Sequence, residues 1–428
     1  MSCKNWKIFK IKEFCSFSQG IQIPIVKQEM NPFPNSVQFI RIVDFSKEDN
    51  KDIRYIKDPG KKYLVSEDDL VMIRYGSQTA GKIARGFKGA IANNIFKVIP
   101  DENIVTKNFL YYFLLQVSVY DYFRSSQVST TMPAITFDLV GNLEIKIPPL
   151  SIQSRISSIL STLDEKIELN RQINQTLEEI AQAIYKGWFV DFNFPNEEGK
   201  PYHDSGDEMQ GSELGLIPKG WRIVNIGKLF KFVIGGDWGK EVQEDEYSNL
   251  CAIIRGTDLN NVSNGQIEEV PKRYIKTASF LKRELKEGDI VFEISGGSKE
   301  QATGRNILIT NEILRLFSEK LIPASFCRLI RTENIETSVF LSTYLRLLYD
   351  KGGTWDYQLQ STGISNFQFS DFENREKLVI PNNSVLEQFK DIIYPFYKLI
   401  GKNNKQIILL TQIRNHLLPK LMSGEIEL

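Results

Sequence analysis

The 428-residue sequence is poor in the residues on which much enzyme chemistry depends. It has two histidines, His203 and His416, too few for most histidine-based metal or triad chemistry. Its four cysteines, Cys3, Cys15, Cys251 and Cys327, lie far apart with no CxxC spacing, which excludes a zinc ribbon and argues against a disulfide scaffold. No apolar run approaches the ~18–20 residues of a membrane span, and the N-terminus shows no signal-peptide core, so a cytoplasmic address is expected. Net charge is absent too: 53 Lys+Arg meet 53 Asp+Glu, which argues against a uniformly basic nucleic-acid binder. With 42% apolar and 25% charged residues the chain is otherwise an ordinary globular one, long enough for two or three domains at ~100–200 residues each.

What the sequence does have is repetition. Trp6 opens WKIFKIKEFCSF, and Trp221 opens WRIVNIGKLFKF. IRIVDF at 40–45 returns as IRGTDL at 254–259, keeping Arg41/Arg255 and Asp44/Asp258. YIK stands at 55–57 and 274–276, and DDLVMIRYGS at 68–77 aligns with GDIVFEISGG at 288–297. FDLVGNLEIKIP at 137–148 aligns with SDFENREKLVIP at 370–381. Two copies in register, each of about 200 residues, identify an internal duplication.

Within each copy the hydrophobic period changes. Short alternating segments such as DLVMIRY and NLEIKIP, bounded by Gly, Pro, Asn and Asp, predict strands and turns. Residues 107–124 and 336–350 predict amphipathic helices inside the same unit. After each Ile-Pro the pattern becomes long and helical. In the first copy, position a falls at Ile156, Leu163, Asn170, Leu177 and Ile184, and position d at Ile159, Lys166, Ile173 and Ile180. In the second, Tyr397, Asn404, Thr411 and Leu418 take a, with Ile393, Ile400, Ile407 and Leu421 at or near d. Asn170 and Asn404 are thus equivalent polar seam residues, a type that fixes helix register at a cost in stability. Residues 151–189 would extend ~58 Å as a helix.

The expected fold is α+β: two tandem globular domains, at 1–149 and 221–382, joined by a long antiparallel two-helix coiled coil with a pseudo-twofold internal repeat. The helices are placed at 150–190 and 383–428, with a polar linker at 191–220. Charge divides unevenly among these parts. Segment 1–150 carries 20 basic and 15 acidic residues, whereas 221–381 carries 21 and 22 and 195–220 carries 2 and 6.

Motifs that imitate catalysis weaken on inspection. GSQTAGKI at 76–83 nearly spells a phosphate-binding loop, but Ile83 stands where a Mg²⁺-binding hydroxyl belongs, and a Gly-rich stretch follows in place of a helix. Asp138, Glu144 and Lys146 imitate a nuclease D…ExK set, yet the second copy has Asp371, Lys377 and Val379 there, and alternation alone explains a strand. No metal site is expected, and no catalytic centre emerges.

Binding residues remain. Lys27, Arg41, Arg74, Tyr75, Lys82, Arg85 and Lys88 gather on or upstream of a Gly-rich basic loop in the first copy, and Arg255, Lys299 and Arg305 in the second. Such loops approach phosphates and base edges closely. SSQVSTTMPAITF at 125–137 and LQSTGISNFQF at 359–369 add Thr131, Thr362, Ser365 and Asn366, whose hydroxyls and amides suit donors and acceptors on bases.

The stretch IPPLSIQSRISSILSTLDEKIELNRQINQTLEEIAQAIYKGWFVDF at 147–192 resembles the central conserved region of type I restriction–modification specificity subunits. The segment from IPNNSVLEQF to the final LMSGEIEL resembles their distal region, and GWRIVNIGKLF and STGISNFQFSDF resemble their target-recognition domains. Pro148, Pro149, Leu150 and Gln153 keep the Pro-Pro-Leu-x-x-Gln pattern, of which the distal copy retains Pro381 and Gln388. The resemblance implies a non-catalytic subunit whose two domains each read half of an asymmetric, split DNA sequence, with the helices as spacer. It implies two modification (methyltransferase) subunits and restriction (translocase–endonuclease) subunits as partners, with S-adenosylmethionine, ATP and Mg²⁺ held by those partners. The alternatives are a specificity subunit of a fused, type II-like system, a nuclease or NTPase using 76–83 or 138–146, and a coiled-coil protein-interaction scaffold.

Overall fold

The computed structural model describes residues 6–45, 52–76, 79–126, 134–297, 301–361 and 364–428. The chain is α+β and divides into two compact units, Met1–Glu165 with Thr411–Leu428, and Lys166–Leu410. Among the described residues no helix is long and apolar enough to cross a membrane.

The first unit opens on strand Lys7–Lys10, which pairs antiparallel with Glu144–Ile147, so the two ends of the globular copy close on each other. An antiparallel sheet follows in the order Cys15–Gln19, Ile95–Pro100, Leu70–Ile73, Ile83–Ala84. A second sheet runs Arg54–Lys57, Ser36–Ile40, Gly89–Ile91, Leu64–Val65, with a parallel pair joining Phe39 to Ala90. Leu70–Ile73 is buried at every residue, which explains its unbroken apolar run.

The second unit repeats this plan, with three strands in place of four in its companion sheet. Arg222–Asn225 pairs with Lys377–Ile380. An antiparallel sheet runs Phe232–Gly235, Cys327–Arg331, Ile290–Glu293, Asn306–Leu308. Lys272–Lys276, Tyr247–Ile254 and Lys320–Pro323 form the companion sheet, again with a parallel pair, Cys251 to Lys320. The equivalence extends to close approaches of the backbone. A Cβ at Gly20 would lie 2.2 Å from the Ala92 carbonyl oxygen, and one at Gly236 would lie 2.1 Å from that of Ala324, so only glycine fits either place.

Helix α1 (Lys107–Leu115) buries Phe109, Leu110 and Tyr112 against the first sheet. The single helix expected over 107–124 is interrupted: Gln116 is extended, and Val117–Ser125 forms a separate helix that buries Val119 and Phe123. Two long helices, α2 (Leu150–Phe189) and α4 (Asn383–Ser423), bracket α3 (Ile335–Asp350) in the chain. In the first unit Ile156 and Leu160 of α2 share a core with Leu418, Leu421 and Met422 of α4, and Arg414 Nη1 lies 2.7 Å from Asp164 Oδ1. In the second unit Ala181, Tyr185 and Phe189 pack with Val385, Leu386, Phe389 and Ile393. Both sets of pairings are antiparallel.

The seam of α2 differs from expectation in its d positions. The buried residues are Leu160, Ile167, Asn174 and Ala181, each one place beyond the expected residue, while Ile159 is 37% and Ile180 41% exposed. The a positions Ile156 and Asn170 are buried as expected, and so are Ile393, Ile400, Asn404, Ile407, Leu418 and Leu421 on α4. Choosing the more apolar neighbour misplaced the stripe. Asn174 is tolerated inside because Asn403 and Asn404 bond its amide, and Ala181 because it is small.

The stretch 191–220 is folded as well as polar. Met209–Ser212 and Gly215–Pro218 form a hairpin, and the Phe194 ring stacks on Trp221 at 4.7 Å and on Tyr202 at 4.6 Å.

Candidate nucleic-acid interface

In each unit the segment that leaves a central strand is pinned to a segment near the end of the globular copy. In the first, Ile135 N–H donates to the Arg74 carbonyl at 2.8 Å, and Tyr75 bridges Ala134. In the second, Phe367 N–H donates to the Ile294 carbonyl at 2.8 Å, and Ser295 pairs with Asn366. The basic loop and the hydroxyl- and amide-rich loop of each copy are therefore neighbours, although more than 50 residues separate Arg74 from Ile135 in sequence. Gly76 and Gly296, at φ +132° and +122°, make the departing turn in backbone conformations that a side chain would strain.

The expected contact residues fall into three groups. Lys27, Lys82 and Lys88 are exposed, and none has an acidic partner among the described residues. Arg74 and Tyr75 are half-buried at the loop junction, and Asn366 is exposed, accepting a 2.7 Å hydrogen bond from Ser295. Thr131, Lys299 and Thr362 lie outside the described residues.

The remaining expected contact residues have partners or burial within the fold. Arg41 N–H and guanidinium both bond Asp44, and Nη1 also lies 3.2 Å from Asp52. Arg255 repeats the device on Asp258 at 2.6 and 2.8 Å, a contact that holds its guanidinium pKa above the ordinary value. The repeated Ile-Arg…Asp signal is thus a turn closure. Arg85 folds back on α1, stacking 4.3 Å over Tyr111 and bonding Asn108 and Tyr112. Arg305 is buried on Glu293; burial opposes its charge, and the Glu293 bond more than offsets that, raising its pKa. The Ser365 side chain is buried beside Gly297, with no hydrogen-bond partner for Oγ among the described residues.

Asn170 and Asn404 are buried on the long helices. Asn170 donates to Gln406 at 3.2 Å. Asn404 accepts from Asn174 at 2.8 Å and donates to the carbonyls of Val262 and Ser263 at 3.2 and 2.9 Å.

Several surface residues escaped the sequence reading. Gln19 and Asn93 flank Arg74 in the first unit: Arg74 Nη1 donates to Gln19 Oε1 at 2.6 Å, and Gln19 Nε2 donates to the Asn93 carbonyl at 2.8 Å. Arg74 N–H also donates to the Asn94 carbonyl at 2.8 Å, matching Ile294 N–H to Phe326 at 2.9 Å in the second unit. Phe326, 63% exposed, and Trp238, with Arg273 stacked 5.0 Å over its ring, give the second surface an aromatic character. The pairs Gln19–Gln22 and Asn93–Asn94, at or just beyond a strand end, were the available signal.

The motifs that imitate catalysis resolve structurally. Ile83–Ala84, directly after Lys82, is a strand, so no helix N-terminus faces that loop. Glu144 and Lys146 are the exposed half of an alternating strand. Among the described residues no three His, Cys, Asp or Glu side chains are grouped to hold a metal ion.

Residues 3–179 match the family described as type I restriction modification DNA specificity domain. The chain is 28% identical to the type I restriction enzyme HindI specificity subunit of Haemophilus influenzae, over 93% of this chain and 96% of that one. It is 27% identical to the type I restriction enzyme MjaIX specificity subunit of Methanocaldococcus jannaschii, over 77% and 71%. The crystal structure of the type I restriction–modification S subunit from M. genitalium shares the fold, with a TM-score of 0.52 at 15% identity over 98% and 96% of the two chains. With the duplicated plan of both units, these similarities bear out the resemblance of the chain to type I restriction–modification specificity subunits.

Proposed function

We propose that this chain is the non-catalytic DNA-recognition subunit of a type I restriction–modification complex and reads an asymmetric, bipartite target, one half-site per globular copy. The observation that carries this reading is the loop pair found at the same place in both copies with different side chains, Arg74 and Tyr75 in one, Ile294 and Ser295 in the other. Equivalent placement favours the same task twice, and unlike side chains favour unlike half-sites. The long helices act as the spacer between the half-sites. Exposed Lys27, Lys82 and Lys88, with Tyr75 and Asn366, supply contacts to phosphates and base edges. Thr131, Lys299 and Thr362 are further candidate contacts on sequence grounds.

Two modification subunits and the restriction subunits dock on this scaffold in the cytoplasm, and they hold the S-adenosylmethionine, ATP and Mg²⁺ that methylation and translocation consume. Because the chain has no net charge, its partners provide much of the phosphate neutralisation. Mapping methylated adenines in cells carrying this chain and its modification subunit tests the reading. The expected result is a gapped, asymmetric motif; a continuous motif would sink the two-reader scheme.

A further inference from the structure

We infer that Arg74, braced by Gln19, reads a guanine in the half-site met by the first unit. This rests on the proposed DNA-reading role of the loop pair.

Arg74 stands at the meeting point of the two loops, its backbone fixed on both sides by the bonds to Asn94 and Ile135. Its guanidinium is placed as firmly. The ring of Tyr75 lies 5.1 Å away and that of Phe137 5.6 Å away, both within cation–π range. Gln19 Oε1 accepts one Nη1 hydrogen at 2.6 Å, and Gln19 is itself held by its bond to the Asn93 carbonyl. No carboxylate pairs with Arg74 among the described residues, unlike Arg41, Arg255 and Arg305. Among the described residues the second Nη1 hydrogen and both Nη2 hydrogens have no partner, and a planar guanidinium fork matches guanine O6 and N7. Among the described residues the buried Nε–H has no hydrogen-bond partner.

The second copy lacks this device. Ile294 replaces Arg74 and Gly235 replaces Gln19, and a different side chain, Arg328, approaches this place: its Nη1 would lie 2.8 Å from a Cβ on Gly235, and its guanidinium lies 5.9 Å from the Phe369 ring. The two half-sites are therefore met by different side chains at this place.

The test uses the full chain assembled with its modification subunit and maps methylated adenines for the native chain, Arg74→Ala, Arg74→Lys and Gln19→Leu. The native chain should require guanine at one fixed position of one half-site. In Arg74→Ala, discrimination at that position should fall by about 5- to 150-fold, with the other half-site and the gap unchanged. Arg74→Lys keeps the charge and loses the fork, so it should relax the same position and no other. Gln19→Leu should relax it more weakly. Arg74→Lys decides the matter if Arg74→Ala does not fold. A native motif with no guanine in either half-site overturns the inference, as does a variant that methylates less at every site with its motif intact, since that marks a phosphate contact. Failure of the wider reading is distinct: the native complex itself would then show no gapped motif.

Discussion

Arg305 and Glu293 form a buried two-point ion pair, with Nη2 2.5 Å from Oε1 and Nε 2.8 Å from Oε2. The first unit sets Lys82 and Ile73 at the same place, for Glu293 N–H donates to the Arg305 carbonyl at 2.9 Å as Ile73 N–H does to that of Lys82 at 3.0 Å. One backbone position thus carries an internal tether in one copy and a free cation in the other. Removing one partner of a buried pair strands the other charge, so Glu293→Ala should lose about 3–5 kcal/mol. Replacing both, as Glu293→Leu with Arg305→Met, should cost far less. Urea unfolding of the full chain distinguishes the two.

Lys82 has the opposite expectation. Its side chain is exposed and has no hydrogen bond or ion pair among the described residues, so Lys82→Ala should leave the unfolding midpoint unchanged. If it meets a phosphate, affinity should fall evenly across DNA sequences, and the slope of log affinity against log salt should become shallower by about 1. Titrations of the assembled complex at several salt concentrations check this.

The duplication was plain in the sequence because both copies keep the same strand ends, from Trp6 and Trp221 to the two Ile-Pro pairs. Loop positions were legible for the same reason. Which cations stay free was not. Arg41, Arg85, Arg255 and Arg305 read in sequence like Lys82, and only their partners Asp44, Asn108, Asp258 and Glu293 reveal that they close turns or brace helices. Asn108 and Glu293 lie 23 and 12 residues from the arginines they meet, beyond any local signal. The seam of α2 was misplaced by one residue because hydropathy ranks Ile above Asn and Ala, while burial there depends on hydrogen bonds across to α4.

Cys251 gives a pH dependence. It is fully buried, and burial pushes its thiol up to about 11, above the ~8.5 of an unfolded cysteine. The folded chain holds this proton more tightly, so the stability it contributes is fully present below pH ~8.5 and fades as pH rises toward 11. Urea midpoints measured from pH 8 to 10.5 should fall, and Cys251→Ala should flatten part of that fall. At pH 8.5 iodoacetamide should alkylate Cys251 only in the unfolded chain.

The polar layer on the long helices should respond unequally to leucine. Asn404→Leu leaves the Asn174 amide and the Val262 and Ser263 carbonyls without their partner, at about 1–3 kcal/mol for each group that water cannot reach. Asn170→Leu frees only Gln406, which is exposed and can turn to solvent, so the cost should stay below about 1 kcal/mol. Equal losses in the two variants would contradict this account.

The spacer role makes a prediction about the target itself. Buried positions on α2 follow an alternation of three and four residues in which Leu163 and Leu177 are only half-buried, giving spacings of four, seven, three, four and seven from Ile156 through Leu160, Ile167, Asn170 and Asn174 to Ala181. Deleting one seven-residue block from each long helix preserves that alternation and removes about 10 Å of helix. At ~3.4 Å per base pair, the gap in the methylated motif should shorten by up to about three base pairs, with neither half-site changed. A deletion from α2 alone breaks the pairing with α4 and should abolish assembly. An unchanged gap in the paired deletion, with methylation retained, would remove the helices from the role of spacer.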